Sequence, residues 1–362
     1  MDNLRNLKKI FKNKKILITG HTGFKGSWLT QIFLLLESKV MGISLPLTHD
    51  KILFKILNIK KNILHYEFDL SKDMKYRDAI VRFKPNYVFH LAAQSLVINS
   101  IKDPYYTFRN NINSTLNLFE CLKKIKSIKS IIFTSSDKCY DFNNKKIFFK
   151  ESDPLGGRGD AYSYSKSAGE LIFKNYLDYY LKHNVGAASV RAGNVIGGGD
   201  WSNFRLIPDF IKSIKNNKKF ILRNPKSIRP WQHVFDCLFG YILLAYKLNK
   251  KRILFSGSWN FGPTHSGFPA KKIASIFAKY LSFKNKIKVI QLKKNKYLET
   301  KNLHLNTMKV RSKLKYKNSL NIFQSLKLTA DWYDMYLKKR SSLEMINFSN
   351  NQILNFLQKL KY

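Results

Sequence analysis

Tyr162 and Lys166 stand four residues apart in Tyr162-Ser163-Tyr164-Ser165-Lys166, a spacing that on a helix puts both side chains on one face, one turn apart. An ammonium beside a phenol stabilises the phenolate and draws its pKa from about 10 toward neutrality, so that it can take a proton from a hydroxyl. Tyr164 has no lysine at this spacing. The chain is rich in both residue types, so the pair gains meaning only from its company. Upstream, Ser136-Asp137-Lys138 assembles a hydroxyl, a carboxyl and a second ammonium, enough for a further acid/base step. The same three residues would also serve as a polar strand end that caps its own turn.

Gly20-His21-Thr22-Gly23-Phe24-Lys25-Gly26 has the spacing GxxGxxG. Without Cβ atoms the backbone turns tightly and approaches a pyrophosphate, which rests on the partial positive charge of a helix N-terminus. The bare pattern is equally an ordinary turn, and its place between an apolar run and a helical pattern is what favours a dinucleotide. His21 and Lys25 either touch the phosphates or are solvated. Where an acidic residue would hold the adenosine ribose, residues 42–46 offer only the hydroxyl of Ser44, which leaves NAD and NADP undistinguished on that ground. Asp69-Leu70 is placed to reach the adenine, or Asp69 caps a helix. Ala92 and Ala93 have the small size a close-packed cofactor needs, as does plain packing.

These groups need a scaffold. Residues 15–19 form a short β-branched apolar run, residues 27–38 repeat apolar side chains at helical spacing, and 40–45 reads as the next strand. Further strands are expected at 63–68, 87–91, 131–135 and 186–191, separated by helix-length segments. The pattern predicts an α/β fold, a doubly wound parallel sheet. After residue 194 the texture changes to loops rich in Gly, Pro and Trp, then helical pattern and short apolar runs such as 287–292. We therefore divide the chain into a dinucleotide-binding domain carrying the catalytic residues (1–193), a smaller domain partly interleaved with it (194–342), and a helical appendage (343–362) whose apolar residues Ile346, Ile353, Phe356, Leu357 and Leu360 recur at helical spacing.

A chain of 362 residues with 44% hydrophobic content can bury a large core. Its three cysteines, Cys121, Cys139 and Cys237, show no paired spacing, so neither a disulfide framework nor a metal site is expected. Residues 1–15 lack a signal-peptide core and the run 32–36 is too short to span a bilayer, which points to a cytoplasmic protein without membrane association. The formal charge is +42. Lysines occur along the whole chain, singly or in pairs, as compositional bias would place them. The other reading is attraction of anionic substrates or of nucleic acid.

The chain resembles the extended short-chain dehydrogenase/reductases, specifically the CDP-glucose 4,6-dehydratase family. The likeness is carried by Thr19-Gly-His-Thr-Gly-Phe-Lys-Gly-Ser-Trp28, His90-Leu-Ala-Ala-Gln94, Asp153-Pro-Leu-Gly-Gly157, Arg191-Ala-Gly-Asn-Val-Ile-Gly-Gly-Gly-Asp-Trp201, Arg229-Pro-Trp-Gln-His-Val234 and Trp259-Asn-Phe-Gly-Pro263, and it runs from about Lys14 to Tyr336. It implies a redox-neutral dehydration of CDP-glucose with NAD as a recycled cofactor, yielding a 4-keto-6-deoxy sugar for surface polysaccharide. Tyr162, assisted by Lys166 and Ser136, would deprotonate the 4-hydroxyl. Lys138, standing where dTDP-type dehydratases carry a glutamate, would help remove the C5 proton, and Asp137 would protonate the departing 6-hydroxyl. The cofactor would lie on Gly20, His21, Gly23, Phe24, Lys25, Gly26, Asp69, Leu70, Ala92 and Ala93, the nucleotide sugar against Gln94, Asn194, Arg205, Arg229 and His233. Trp201 and Trp231 either pack or stack on the base. Relatives of this kind pair through helices like those around 108–123 and 162–181, so a homodimer or higher homo-oligomer is implied. Cys139 in place of the usual valine, and Leu305-Asn306 in place of Leu-Asp, depart from the family. A nucleotide-sugar 4-epimerase or another 4,6-dehydratase is the nearest rival. A nucleic-acid-binding protein on the same fold is the rival of another class.

Overall fold

The computed structural model describes residues 2–72, 74–142, 148–181, 184–283, 289–291 and 303–360. Seven strands form one parallel sheet: β1 (Lys15–Thr19), β2 (Lys39–Ser44), β3 (Leu64–Glu67), β4 (Tyr87–His90), β5 (Ser130–Thr134), β6 (Gly186–Ala192) and β7 (Gly257–Phe261). Their order is β7-β6-β5-β4-β1-β2-β3. The order reverses at β1, which pairs with β2 on one side (Ile16 opposite Val40) and β4 on the other (Ile16 opposite Tyr87). Crossovers leave in opposite directions there, opening a crevice at the carboxyl ends of the strands.

Successive side chains of β1 enter different cores, Ile16 and Ile18 one apolar cluster and Leu17 another. Both sheet faces are covered, which is why the strands read as continuous apolar runs rather than as alternation. The helix expected at 27–38 is Phe24–Leu35. It starts three residues earlier because Gly23 already accepts from the amide of Ser27 at 2.8 Å, so half of the glycine turn is helix. Of the apolar run 287–292, Val289–Gln291 forms a strand parallel to Phe220–Leu222, and its other residues lie outside the described ones.

The sheet is completed by late residues. β7 pairs with β6, and the helix Val234–Lys250 packs Leu238 and Leu248 into the cluster that holds Ile132, Ala188 and Val190. The contact is close enough that a Cβ on Gly186 would stand 2.7 Å from the Leu248 carbonyl. The terminal helix Ser342–Lys359, started by a reciprocal Ser341/Glu344 cap, buries Met345, Ile353, Phe356 and Leu357 against the same core. It is tied by Trp332 Nε1 to Ser349 Oγ at 2.9 Å and by Gln31 to Asn350 at 2.7 Å, while Asn3 of the helix Asp2–Phe11 donates to the Leu360 carbonyl. All three cysteines are buried and free. Among the described residues no helix is long and apolar enough to cross a membrane, and no group of three or more His, Cys, Asp or Glu could hold a metal ion.

Candidate active site

A cavity of about 770 Å³ opens over the carboxyl edge of the sheet and reaches from the glycine turn to the loops beyond residue 194. Gly20 has φ +73, and a Cβ on it would stand 2.7 Å from the Ala92 amide nitrogen; one on Gly26 would stand 2.1 Å from the Gly20 carbonyl. Only glycine lets these three segments close into a cradle at the start of the helix Phe24–Leu35. Gly20, Gly23, Phe24, Lys25 and Gly26 line it, as do Asp69, Leu70, Ala92 and Ala93. These residues fit a dinucleotide. Asp69 also binds its own turn, Oδ1 accepting from the Ser71 amide at 2.9 Å and hydroxyl at 2.7 Å; it caps no helix, since the next one begins at Tyr76.

His21 neither faces the cavity with its side chain nor is solvated. Its ring is fully buried, with Nε2 2.7 Å from Nδ1 of His65 and its edge against Phe54. Burial and the neighbouring His65 push its pKa down to about 3. Its contact is with Gly42, where any Cβ would lie 2.4 Å from the ring. Lys25 does reach the cavity, and its charge is felt by both Asp137 and Lys166.

At the end of β5, Ser136 Oγ donates to Asp137 Oδ1 at 3.0 Å and accepts from the Lys138 amide at 3.2 Å. The local cap is therefore real, and it presents all three residues to the cavity. Asp137 is buried. Desolvation raises its pKa against the opposing pull of Lys138, Ser136, Arg229 and Lys25, so its carboxyl holds a proton more readily than an exposed one. Opposite, the helix Ala161–Tyr176 is started by Asp160, which accepts from both the amide and the hydroxyl of Ser163 at 2.9 Å. This end cap aims Tyr162 and Lys166 at the cavity. Lys166 Nζ donates to the Thr134 carbonyl at 3.1 Å and lies 6.0 Å from the centre of the Tyr162 ring.

The expectation that the ammonium draws Tyr162 toward neutrality needs correction. Burial pushes the phenol up to about 12, with the Ser136 hydroxyl as the largest opposing influence. Lys166 is itself pushed down to about 8 by burial and then by Lys25. Each charge pays separately for leaving water, and Ser136 is the neighbour that offsets the phenolate's desolvation most.

On the substrate side, Arg205 lines the cavity, pairs with Asp200 at 2.8 Å and reaches Ser95 at 3.4 Å. Arg229 and Asn194 line it too, Arg229 braced by the Ile228 carbonyl at 2.8 Å. Gln94 lies at the wall, but its amide is engaged within the loop: Nε2 donates to Leu96 at 3.1 Å and Thr107 at 3.0 Å, and Oε1 accepts from the Leu96 amide at 2.5 Å. It shapes the loop rather than reaching inward. His233 lies outside the cavity lining. It is 1% exposed, its Nδ1 accepts from the Phe235 amide at 3.2 Å to cap Val234–Lys250, and burial lowers its pKa to about 3. Trp201 packs on Tyr333 and Tyr336, and Trp231 donates to the Phe268 carbonyl at 3.1 Å; both touch the cavity from its packed wall.

The model of the family described as GDP-mannose 4,6 dehydratase matches residues 17–329. A CDP-glucose 4,6-dehydratase of Salmonella typhimurium (strain LT2) is 44% identical over 262 residues, 71% of this chain and 73% of its own length. The chain belongs to this dehydratase family. Solved structures share the fold. A dTDP-glucose 4,6-dehydratase from Bacillus anthracis in complex with NAD superposes with TM-score 0.73 at 21% identity, over 90% of this chain and 98% of that one. A UDP-glucose 4-epimerase from Thermotoga maritima with UDP-glucose gives 0.74 at 20% identity, over 89% and 99%.

The family departures fit quietly into this dehydratase. Cys139 is fully buried beside Tyr140 and Phe149, and Asn306 Oδ1 accepts from the Met308 amide at 2.9 Å, a role any carboxylate there could fill. Two features escaped the sequence reading. Arg223, on the cavity wall, pairs with Asp209 at 2.8 Å and lies over the Phe204 ring, with no motif to announce it. Glu170 sits one further turn along from Lys166 and binds Arg191 at 2.8 Å; the repeated four-residue spacing was the available signal.

Proposed function

We propose that the protein dehydrates CDP-glucose to CDP-4-keto-6-deoxyglucose, using NAD as a recycled cofactor. The observation that carries this reading is the placement of Asp137 and Lys138 on the same cavity as Tyr162 and Lys166. The glycine cradle with Asp69, Leu70, Ala92 and Ala93 would hold the dinucleotide. Bound there, the dinucleotide would supply the reversible hydride acceptance that links sugar carbons four and six. Tyr162 takes the proton of the 4-hydroxyl, with Ser136 offsetting the phenolate's desolvation. Lys138 helps remove the C5 proton, which the adjacent ketone has made acidic, and a proton returns to C5 when hydride arrives at C6. Asp137, whose carboxyl burial makes readier to hold a proton than an exposed one, delivers a proton to the 6-hydroxyl, which leaves as water. Arg229 and Arg205 suit the diphosphate, by charge and by fork geometry.

A 4-epimerase would share the cradle, Tyr162 and Lys166 but has no use for Asp137 or Lys138. Incubation with CDP-glucose, dTDP-glucose and UDP-glucose plus NAD, following the alkaline absorbance of a 4-keto-6-deoxy product, tests the reading. No product from any of the three sinks it; product lost on substituting Asp137 separates it from epimerisation. Tyr105, Leu116, Tyr164, Leu171, Tyr179 and Tyr180 are exposed on the helical segments spanning 104–122 and 161–181, and we assign these segments to the contact of a homodimer, to be checked by light scattering on the eluting protein.

A further inference from the structure

We propose that the buried Glu170–Arg191 ion pair is the positioning device for Lys166, fixing where its ammonium stands and holding it cationic beside Tyr162. The proposal rests on the reading of Lys166 as the partner of Tyr162. Tyr162, Lys166 and Glu170 occupy successive turns of Ala161–Tyr176 on its buried face, neighbours by helix geometry. Glu170 and Arg191 line no part of the cavity.

Both carboxylate oxygens of Glu170 are used. Oε1 accepts from Arg191 Nε at 2.8 Å; Oε2 accepts from Arg191 Nη2 at 2.9 Å and from Ser189 Oγ at 2.8 Å. Arg191, on β6, also donates to the Ser258 hydroxyl of β7 at 3.0 Å and the Glu151 carbonyl at 3.2 Å, and its guanidinium lies 4.8 Å from the centre of the Tyr140 ring. A planar fork matched to a carboxylate fixes orientation as well as charge. The helix Ala161–Tyr176 is thereby pinned to two strands one turn beyond Lys166.

The groups around Lys166 show why a carboxylate is needed. Lys25 faces it from the glycine-turn helix and repels it. His90, at the end of β4, is neutral, with its pKa pushed down to about 3 by burial and by Lys166. Cys139, from the turn after β5, is a buried thiol whose pKa burial raises, and Tyr162 is a phenol on the same helix. Glu170 is the one carboxylate whose charge supports the ammonium among these neighbours, against burial and Lys25. Arg191 behind it tempers that support without removing it.

The test is the pH at which Lys166 titrates, read two ways: the alkaline limb of turnover, and the pH dependence of Lys166 acetylation by acetic anhydride, followed by mass spectrometry on the NAD-loaded enzyme without sugar. Glu170→Gln should move both midpoints toward acid by about one pH unit, the size expected for losing a nearby opposite charge. Glu170→Asp, which keeps the charge, should restore them. Replacing both partners by Met tends to spare folding where removing one leaves a buried charge; this double variant, which also loses the opposing charge of Arg191, should show a smaller shift in the same acid direction. Midpoints unchanged in Glu170→Gln, or in the double variant if the single one does not fold, overturn the proposal, as does an equal shift in Glu170→Asp. Labelling needs no turnover, so failure of the dehydratase reading would leave this outcome legible.

Discussion

Asp236 offers a sharp test of the electrostatics because its carboxyl is fully buried at the start of the helix Val234–Lys250. It accepts from the Ser319 amide at 2.6 Å and the Leu320 amide at 3.3 Å, tying down the turn whose Asn318 touches Gln232. Burial nonetheless outweighs these bonds and pushes its pKa from 3.8 up to about 7. Folding therefore favours the protonated form, and stability is lost as pH rises between those two values. At about 1.4 kcal/mol per unit, moving from pH 5 to pH 8 costs roughly 2.5 kcal/mol through this residue alone. Spread over about 2.1 cal/mol/K per residue of unfolding entropy, that is roughly 3 °C in Tm. Asp236→Asn mimics the protonated acid and cannot ionise. The difference in Tm, variant minus wild type, should become more positive by about 3 °C from pH 5 to pH 8 in scanning calorimetry, with other titrating groups cancelling. A difference flat with pH, or one falling toward pH 8, refutes the reasoning.

Three further outcomes follow from the same geometry. Gly26→Ala should abolish measurable NAD binding in calorimetry, since its Cβ would meet the Gly20 carbonyl at 2.1 Å, backbone against backbone. Asp137→Asn should cut formation of the keto product by roughly 10²- to 10⁴-fold, the usual worth of a positioned acid, while nucleotide-sugar binding survives. Phe356→Ala, in the terminal helix, should cost about 3–5 kcal/mol in denaturant unfolding, because the ring is buried between Phe235 and Phe239.

The parts of the site legible in the sequence are those set by local geometry. The Tyr162 and Lys166 spacing needs only a helix, the glycine turn needs only a strand before it, and strands covered on both faces announce themselves as apolar runs. Burial by distant segments is not local. His21 and His233 sit inside motifs and look available, yet Phe54, His65 and Phe235 enclose their rings. β7 reads Gly-Ser-Trp-Asn-Phe, too short and too polar to stand out, and becomes a strand because β6 offers it an edge. Arg191 was visible in a motif, but its partner is chosen by how Ala161–Tyr176 lies on β6.

The late arrival of β7 and of Val234–Lys250 has a consequence for biosynthesis. A ribosome releasing this chain has six strands out, the glycine turn and the helix Ala161–Tyr176 included, before the helix Val234–Lys250 that packs against Ile132, Ala188 and Val190 has been made. Until then the nascent sheet has one apolar face only partly covered, by the helices Asp2–Phe11 and Phe24–Leu35, and one open edge, the features that recruit chaperones and seed misassembly. The region that carries Tyr162 and Lys166 is thus not autonomous in time, and severing the chain near residue 194 should yield an aggregating fragment rather than a small folded protein.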